Sequence, residues 1–593
     1  MAIHTNWPEQ HKSHFRRVKW YGLVRWIHPS EVQATLVWAG IVGCLGGLTA
    51  ILFREAIQAV LWCWTGRTGS LEFVAAQLTW WQRLIIPAAG GLLAGLVLHF
   101  GARFGRGHRS SDYMEAVALH RGVLSLRQNL SKAVSSLLTI GSGGSIGREG
   151  AMVQLSATLA SWLGQRRHLS TPRLRLVVAC GAAAGIAAVY NVTIAGALFV
   201  AEIVLGSIAM ESLGPLLVAA VASSLVSRYV GGEQPYFSSP PFSLAAPEEL
   251  LPFLIMALIL GAAARGYIRL LRRTEDLLTA LVPNVHWRLA LGGLVVGALA
   301  IPFPEVWGNG RTMVNLALQN PWPWRVLAAI LVCKVLAVAV TTGSGAVGGV
   351  FTPTMFTGAM LGCLSGHAVQ AWWPGPSAGP QAYALVGMAG FLTAATRAPL
   401  LSMLMLFEMT LDYGMVLPMM VVCVTAYYTA RAFHSDSIYS ESLRRKQPAA
   451  THAQVSALRV RDLMKPVPVT AQENTPFPEI VRLFSNAPFR HLLVVSLQNQ
   501  LRGVISLRDV ENHLQREGSS DWLTAAGLMR TEIEVVVPEA TLGEALEAFR
   551  RYSGERLPVV NDLQERVLRG LVSKTDLLLT LAHGLHGGPL TTV

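Results

Sequence analysis

Charge is scarce in this sequence. Of 593 residues, 14% are Asp, Glu, Lys or Arg, where a soluble protein of that length carries about a quarter. The shortage is local. Residues 434–593 hold 18 basic and 18 acidic side chains, leaving 30 basic and 17 acidic groups for residues 1–433, so the net charge of +13 falls on the first part. Few carboxylates there argue against a path for hard cations, which take oxygen ligands. Cysteine is scarce too. All six (Cys44, Cys63, Cys180, Cys333, Cys363, Cys423) lie before residue 434. Their spacing suits no metal, and they read as structural thiols. A tail without cysteine fits a reducing or indifferent compartment. No nucleophile–base pair or metal constellation marks an enzyme, and a neutral tail gives no case for nucleic-acid binding. The first thirty residues are basic (Arg16, Arg17, Lys19, Arg25) and lack the early apolar core of a cleavable signal.

What is abundant is apolar sequence: 52% hydrophobic residues and a mean hydropathy of +0.42. Apolar stretches occur near 33–61, 80–104, 174–201, 207–227, 250–264, 287–303, 325–341, 353–372, 381–395 and 397–433. Several fall short of the roughly 20 residues a straight span needs. Glycine interrupts the region at 141–144 and again at 343–349. Broken backbone at membrane depth persists where protein buries it or where it lines a wet cavity, and short interrupted segments in both halves suit helix ends converging on a midplane site. The basic N-terminal cluster and Arg444-Arg445-Lys446 read as cytoplasmic, which places both termini inside and implies an even number of crossings. The positive surplus fits such loops, or an anion vestibule.

The neutral tail repeats itself. Val460 to Met464, a helical pattern near 477–486, His491 to Val495, and Gly503-Val504-Ile505-Ser506-Leu507-Arg508-Asp509 form one unit. Gly527 to Met529, a helical stretch 541–552, Leu557 to Val560, and Gly570-Leu571-Val572-Ser573-Lys574-Thr575-Asp576 form a second, offset by 65 to 67 residues. Alternating strand and helix signals argue α/β units.

Two motifs carry the chemistry. Gly147-Arg148-Glu149-Gly150 sets an ion pair in a glycine-rich break between apolar segments, an expensive arrangement unless it is used. Glycines free backbone amides, and a helix start adds the positive end of its dipole, which together suit a small desolvated anion. A carboxylate there competes with that anion; the alternative is an interfacial loop pair. Gly348-Gly349-Val350-Phe351-Thr352-Pro353 offers a second set of amides, with Pro353 suited to a first helical turn, or else a turn packed for close helix approach.

This motif pair resembles the CLC family of chloride channels and proton/chloride exchangers. Further matches are Gly181 to Ala188 with Asn191, and Leu406-Phe407-Glu408-Met409-Thr410. Asp112 to Ala116 and Phe199 to Gly206 point to its bacterial ClcB-type branch, and the tail resembles a tandem pair of CBS modules. The fold class implied is an all-α polytopic membrane protein, an inverted repeat of tilted and broken helices, with a C-terminal α/β CBS pair. The corresponding boundaries are a cytoplasmic segment 1–32, a transmembrane domain 33–433, a linker 434–453, and CBS units 454–518 and 519–585.

The resemblance assigns Glu149 as the gate and places the anion among Ser110, Gly147, Arg148, Gly150, Val350, Phe351 and Tyr439. Lys132 matches a buried lysine that makes the pore positive. Ser506 with Asp509, and Ser573 with Asp576, match the CBS pattern that contacts the phosphate and ribose of an adenine nucleotide; helix capping is the other reading. Two features depart from the family. Its Gly-Ser-Gly-Ile-Pro segment is here Arg109-Ser110-Ser111-Asp112-Tyr113, which leaves Ser110 and Ser111 as rival ligands. Many exchangers also carry two consecutive glutamates, the second passing protons inside, where this chain has Glu202 and Ile203. Isoleucine carries no proton. The expectation is therefore chloride transport by a homodimer in the bacterial inner membrane, leaning to a voltage- or pH-gated channel. A proton-coupled exchanger is the alternative and a CBS-regulated cation transporter the remote one. No metal or resident cofactor is expected.

Overall fold

A computed structural model describes residues 31–102, 112–118, 121–231, 236–238, 242, 244, 246–433, 437–439, 458–467, 469–485, 490–517, 522–552 and 554–585. Ser110 and Ser111, residues 1–30 and most of the 434–453 linker lie outside the described residues. The chain divides into two units, Met1–Leu443 and Arg444–Val593.

The described part of the first unit is helical. Its first half runs α1 (Glu31–Thr65), α2 (Leu71–Gln77), α3 (Trp80–Gly101), α4 (Tyr113–Ala118), α5 (Leu126–Gly141), α6 (Glu149–Arg166), α7 (Thr171–Tyr190), α8 (Ile194–Phe199) and α9 (Met210–Gly231). The second runs α10 (Leu250–Leu281), α11 (Val285–Ala300), α12 (Arg311–Gln319), α13 (Trp324–Gly343), α14 (Phe351–Trp372), α15 (Pro380–Thr396), α16 (Pro399–Thr410) and α17 (Val416–Phe433). Among the described residues, seven helices are long and apolar enough to cross a membrane, and Ile194–Val204, Val285–Ala300 and Pro399–Thr410 are apolar but shorter.

The halves repeat one plan. Gly143 and Gly345 take positive φ (+98° and +90°) before α6 and α14, a conformation open to glycine because it lacks a Cβ. Then α7 and α15 end in left-handed residues, Asn191 (φ +58°) and Arg397 (φ +64°), and short helices follow in both halves. The backbone reversals arise from these local conformations and recur at matching places.

Three features differ from the apolar pattern. The 397–433 stretch is two helices, broken at Leu411 in the left-handed region (φ +56°). The 250–264 stretch opens a helix of 32 residues. Neither α5 nor α6 stands out as an apolar run, because their small polar residues face protein instead of lipid. Ser135, Ser136, Ser156, Thr158 and Ser161 are all buried, and the hydroxyls of Thr158 and Ser161 donate to the carbonyls of Gln154 and Gly122, each at 2.7 Å. Small residues at such positions let helices approach closely. The centre of α7 shows this best, with Ala179 to Ala187 fully buried.

In the tail, β1 (Thr470–Gln472) pairs parallel with β2 (His491–Val495), which pairs antiparallel with β3 (Leu501–Ser506). The helices α18 (Phe477–Ser485) and α19 (Leu507–Glu517) belong to this repeat. After α20 (Ala525–Leu528), the second repeat has α21 (Leu542–Arg551), an antiparallel pair β4 (Arg556–Val560) and β5 (Leu568–Ser573), and α22 (Lys574–Leu585). A register shift falls between Val494 and Val495 in one repeat and between Val559 and Val560 in the other. Val536 stands in for the strand equivalent to β1, as a single parallel bridge to Val559.

Candidate functional site

Each glycine motif ends at a helix start, and the two starts meet. The Gly147 amide donates to the Gly349 carbonyl and the Gly349 amide to the Gly147 carbonyl, both at 2.8 Å. This reciprocal bridge brings together the N-termini of α6 and α14, whose first amides lack intrahelical partners and carry the positive end of the helix dipole. Glu149, the first residue of α6, is 2% exposed. Its Oε1 accepts from the Thr352 amide at 3.0 Å, and its Oε2 accepts from the Thr352 hydroxyl at 3.2 Å. The Tyr190 hydroxyl lies 2.8 Å from the same Thr352 oxygen. A Cβ on Gly147 or Gly349 would collide with the Glu149 carboxylate, so both positions need glycine for the carboxylate to turn back over the junction. Glu149 thus occupies, with its carboxyl oxygens, a backbone amide suited to an anion.

The other expected residues fall around this seat to differing degrees. Val350 immediately precedes α14, and Phe351 is its first residue and buried. The Phe351 ring lies 5.7 Å from Tyr190 and 6.0 Å from Phe199. Phe199 meets Tyr439 edge-on at 6.1 Å, so Tyr439 returns to the same aromatic cluster from beyond α17. Arg148 precedes α6, and Gly150 lies against the Gly348 backbone. Lys132 is half-buried on α5. Ile203 sits in a π-helical turn, Val200–Val204, packed against the main core.

Sequence reasoning missed Thr352 as the partner of Glu149, although the quoted motif contains it. It also missed Lys334. This residue of α13 is 1% exposed, and its ammonium donates to the carbonyls of Val306, Trp307 and Gly308 at 2.7, 3.0 and 2.9 Å. Three carbonyls satisfy its three donors. The signal was a lysine deep in an apolar run, which needs such partners. A third feature joins the halves. Glu408, near the end of α16, accepts from the amides of Thr193, Ile194 and Ala195 at the start of α8 (3.1, 2.9 and 2.8 Å). Glu202, in the turn that continues α8, accepts from Leu400 and Leu401 at the start of α16 (3.4 and 2.8 Å). Each short helix carries the carboxylate that caps the other.

In the tail, Ser506 and Asp509 line a cavity of about 550 Å³ together with His491, Arg530, Arg551 and Tyr552. Asp509 is already engaged: Arg530 donates to Oδ1 at 2.5 Å, and the Ser506 hydroxyl and amide donate to Oδ2 at 2.7 and 3.1 Å. Burial raises this carboxyl, but the bonds from Arg530 and Ser506 outweigh it and hold it below its ordinary value. His491 is held below the usual imidazole range, first by burial, with the nearby Arg530 and Arg490 adding to it against the pull of Glu555 and Asp509. Ser573 and Asp576 are not among the described residues lining that cavity; Asp576 pairs with Lys465 at 3.0 Å.

Two halves of matching plan, whose helix starts meet inside an apolar helical body, define a polytopic membrane protein. Residues 90–431 match the family described as voltage gated chloride channel, and residues 460–516 and 525–583 match the CBS domain. The chain belongs to the CLC family of anion channels and transporters, which are not enzymes, and chloride transport is the function that its family match supports. It is 48% identical over 413 residues to a ClcB-like chloride channel protein of Ralstonia nicotianae, covering 69% of this chain and 96% of that one. It is 39% identical over 412 residues to the voltage-gated ClC-type chloride channel ClcB of Citrobacter koseri (68% and 98%). Among solved structures, a slow cyanobacterial Cl⁻/H⁺ antiporter superposes with a TM-score of 0.63 at 25% identity, covering 71% of this chain and 99% of that one. A eukaryotic CLC transporter does so with a TM-score of 0.61 at 17% identity (91% and 97%), a likeness of fold alone.

Proposed function

We propose that this chain conducts chloride through a path closed by the Glu149 carboxylate, and that conduction is not obligatorily coupled to protons. The observation that carries the gate is the seating of Glu149 on the Thr352 amide and hydroxyl: an anion binding there must displace it. Uncoupled conduction is supported by hydrocarbon at Ile203, and by the engagement of the neighbouring Glu202 as a helix cap. Proton-coupled exchange is the second reading, favoured by the likeness to the cyanobacterial antiporter. The chloride seat is completed by the residues gathered around it, Gly147, Arg148, Gly150, Val350, Phe351 and Tyr439. Lys132 adds positive charge to the pore. The protein works in the bacterial inner membrane as a homodimer with both termini cytoplasmic. An adenine nucleotide at the tail cavity has to displace Arg530 from Asp509.

Purified protein in liposomes tests both parts. A chloride gradient is expected to drive chloride flux with no sustained proton movement, and Glu149→Ala is expected to change the rate and its pH dependence. A fixed proton/chloride ratio would replace the channel with an exchanger. Flux untouched by Glu149→Ala would remove that residue from the gate.

A further inference from the structure

Two cavities flank Arg148, the residue before the Glu149 helix, and they share Arg54, Arg148 and Arg311. Their remaining walls differ in charge. The first, about 330 Å³, includes Glu55 and Glu72. The second, about 310 Å³, has no carboxylate among its described lining residues and includes Tyr236 and Asn191.

The arginines are held at this second cavity in different ways. Arg311 donates from Nε and Nη2 to the Tyr236 carbonyl at 3.3 and 3.1 Å, with its guanidinium 4.0 Å over the Tyr236 ring. That fixes the plane and leaves further N–H groups uncommitted to Tyr236. Arg54 reaches Glu55 through Nε at 3.1 Å. Arg148 has a buried Nε with no partner among the described residues. A buried guanidinium donor left without an acceptor carries a desolvation cost. Glu55 offsets Arg54 from outside this chamber, while Arg148 and Arg311 line it with no carboxylate among its described lining residues, which leaves a positive field that attracts an anion.

We infer that the carboxylate-free chamber bounded by Arg54, Arg148 and Arg311 is an outer binding site for a hydrated monovalent anion, from which chloride passes to the seat that Glu149 guards. The inference rests on the reading of the chain as a chloride transporter and adds two arginines, from α1 and α12, to its path. The chamber is far larger than a bare halide, so the anion keeps several of its waters. This site sets how much chloride is needed for entry, and the seat sets how fast it crosses.

The test is the half-saturating chloride concentration for flux into proteoliposomes, with impermeant gluconate holding ionic strength fixed. At about 6 Å through water, one unit charge changes local anion occupancy by about threefold. Arg54→Gln and Arg311→Gln are each expected to raise half-saturation by about that factor, and the double variant by about tenfold, a larger change than in maximal rate. Arg311→Lys keeps the charge and should restore most of the loss. At about 1 M gluconate the differences should shrink, because the screening length falls to roughly 3 Å. Arg54 is 40% exposed, so its variant reads the site without disturbing the core. Unchanged half-saturation in both single variants overturns the site. So does an Arg311→Lys protein as impaired as Arg311→Gln, since packing and not charge would then be responsible. Absence of chloride flux in the unaltered protein would instead overturn the transport reading.

Discussion

Replacing Thr352 with valine removes one hydroxyl and leaves the shape and the backbone amide in place. In the closed seat, Glu149 accepts from both groups, at 3.0 Å from the amide and 3.2 Å from the hydroxyl. A hydrogen bond to a charged group contributes about 1.5–3 kcal/mol. The hydroxyl bond is longer than the usual O–H···O range, so its share belongs at the bottom, at about 1.5 kcal/mol, or a little over a factor of ten in occupancy. Tyr190 also loses its partner. That loss applies whether or not Glu149 is seated, so it lowers stability by about 1 kcal/mol without biasing the gate. Thr352→Val is therefore expected to raise chloride efflux from proteoliposomes about tenfold at neutral pH, up to the ceiling set by Glu149→Ala. The decisive comparison is the double variant. Once Glu149 is alanine, removing the Thr352 hydroxyl should change efflux by less than about twofold, because the coupled partner is gone. An equal acceleration in both backgrounds would refute the seat as the origin of the effect.

Two further outcomes bear on what holds the site. Lys334→Met leaves three buried carbonyls without their donor and should destabilise the protein by about 3 kcal/mol, read as a lower unfolding temperature in detergent; an unchanged temperature would mean that water replaces the ammonium. In the tail, the Asp509 carboxyl is held below its ordinary value. Its stabilisation is present above the unfolded value of about 3.9 and fades as pH falls through the lower folded value. Asp509→Asn should cost the tail about 1 kcal/mol at neutral pH and flatten this part of its acid loss. Hydrogen exchange in 490–517 of the full chain follows both effects.

Much of this molecule could be read before its structure was known, for identifiable reasons. The motifs around Glu149 and Phe351 were legible because glycine, arginine and glutamate are costly in an apolar setting and so mark a use. The tail was legible through repetition, and its strands and helices fall where the alternation placed them. The helices α5 and α6 escaped because buried serine and threonine look like loop composition when lipid is assumed outside. Thr352 escaped because a side chain that serves one carboxylate leaves no periodic trace. Lys334 stood in plain view, but the carbonyls that receive it come from residues 306–308, which no local pattern connects to α13. The exchange between Glu202 and Glu408 was hidden for the same reason, since each glutamate acts about 200 residues away.

That exchange has a consequence for how the protein can be divided. The start of α8 depends on a carboxylate from the second half, and the start of α16 on one from the first. A gene cut between the halves would yield two fragments, each with a helix start that has lost the carboxylate capping it. Produced together, the fragments are each other's missing ligand and should reassemble; produced singly, each should be degraded.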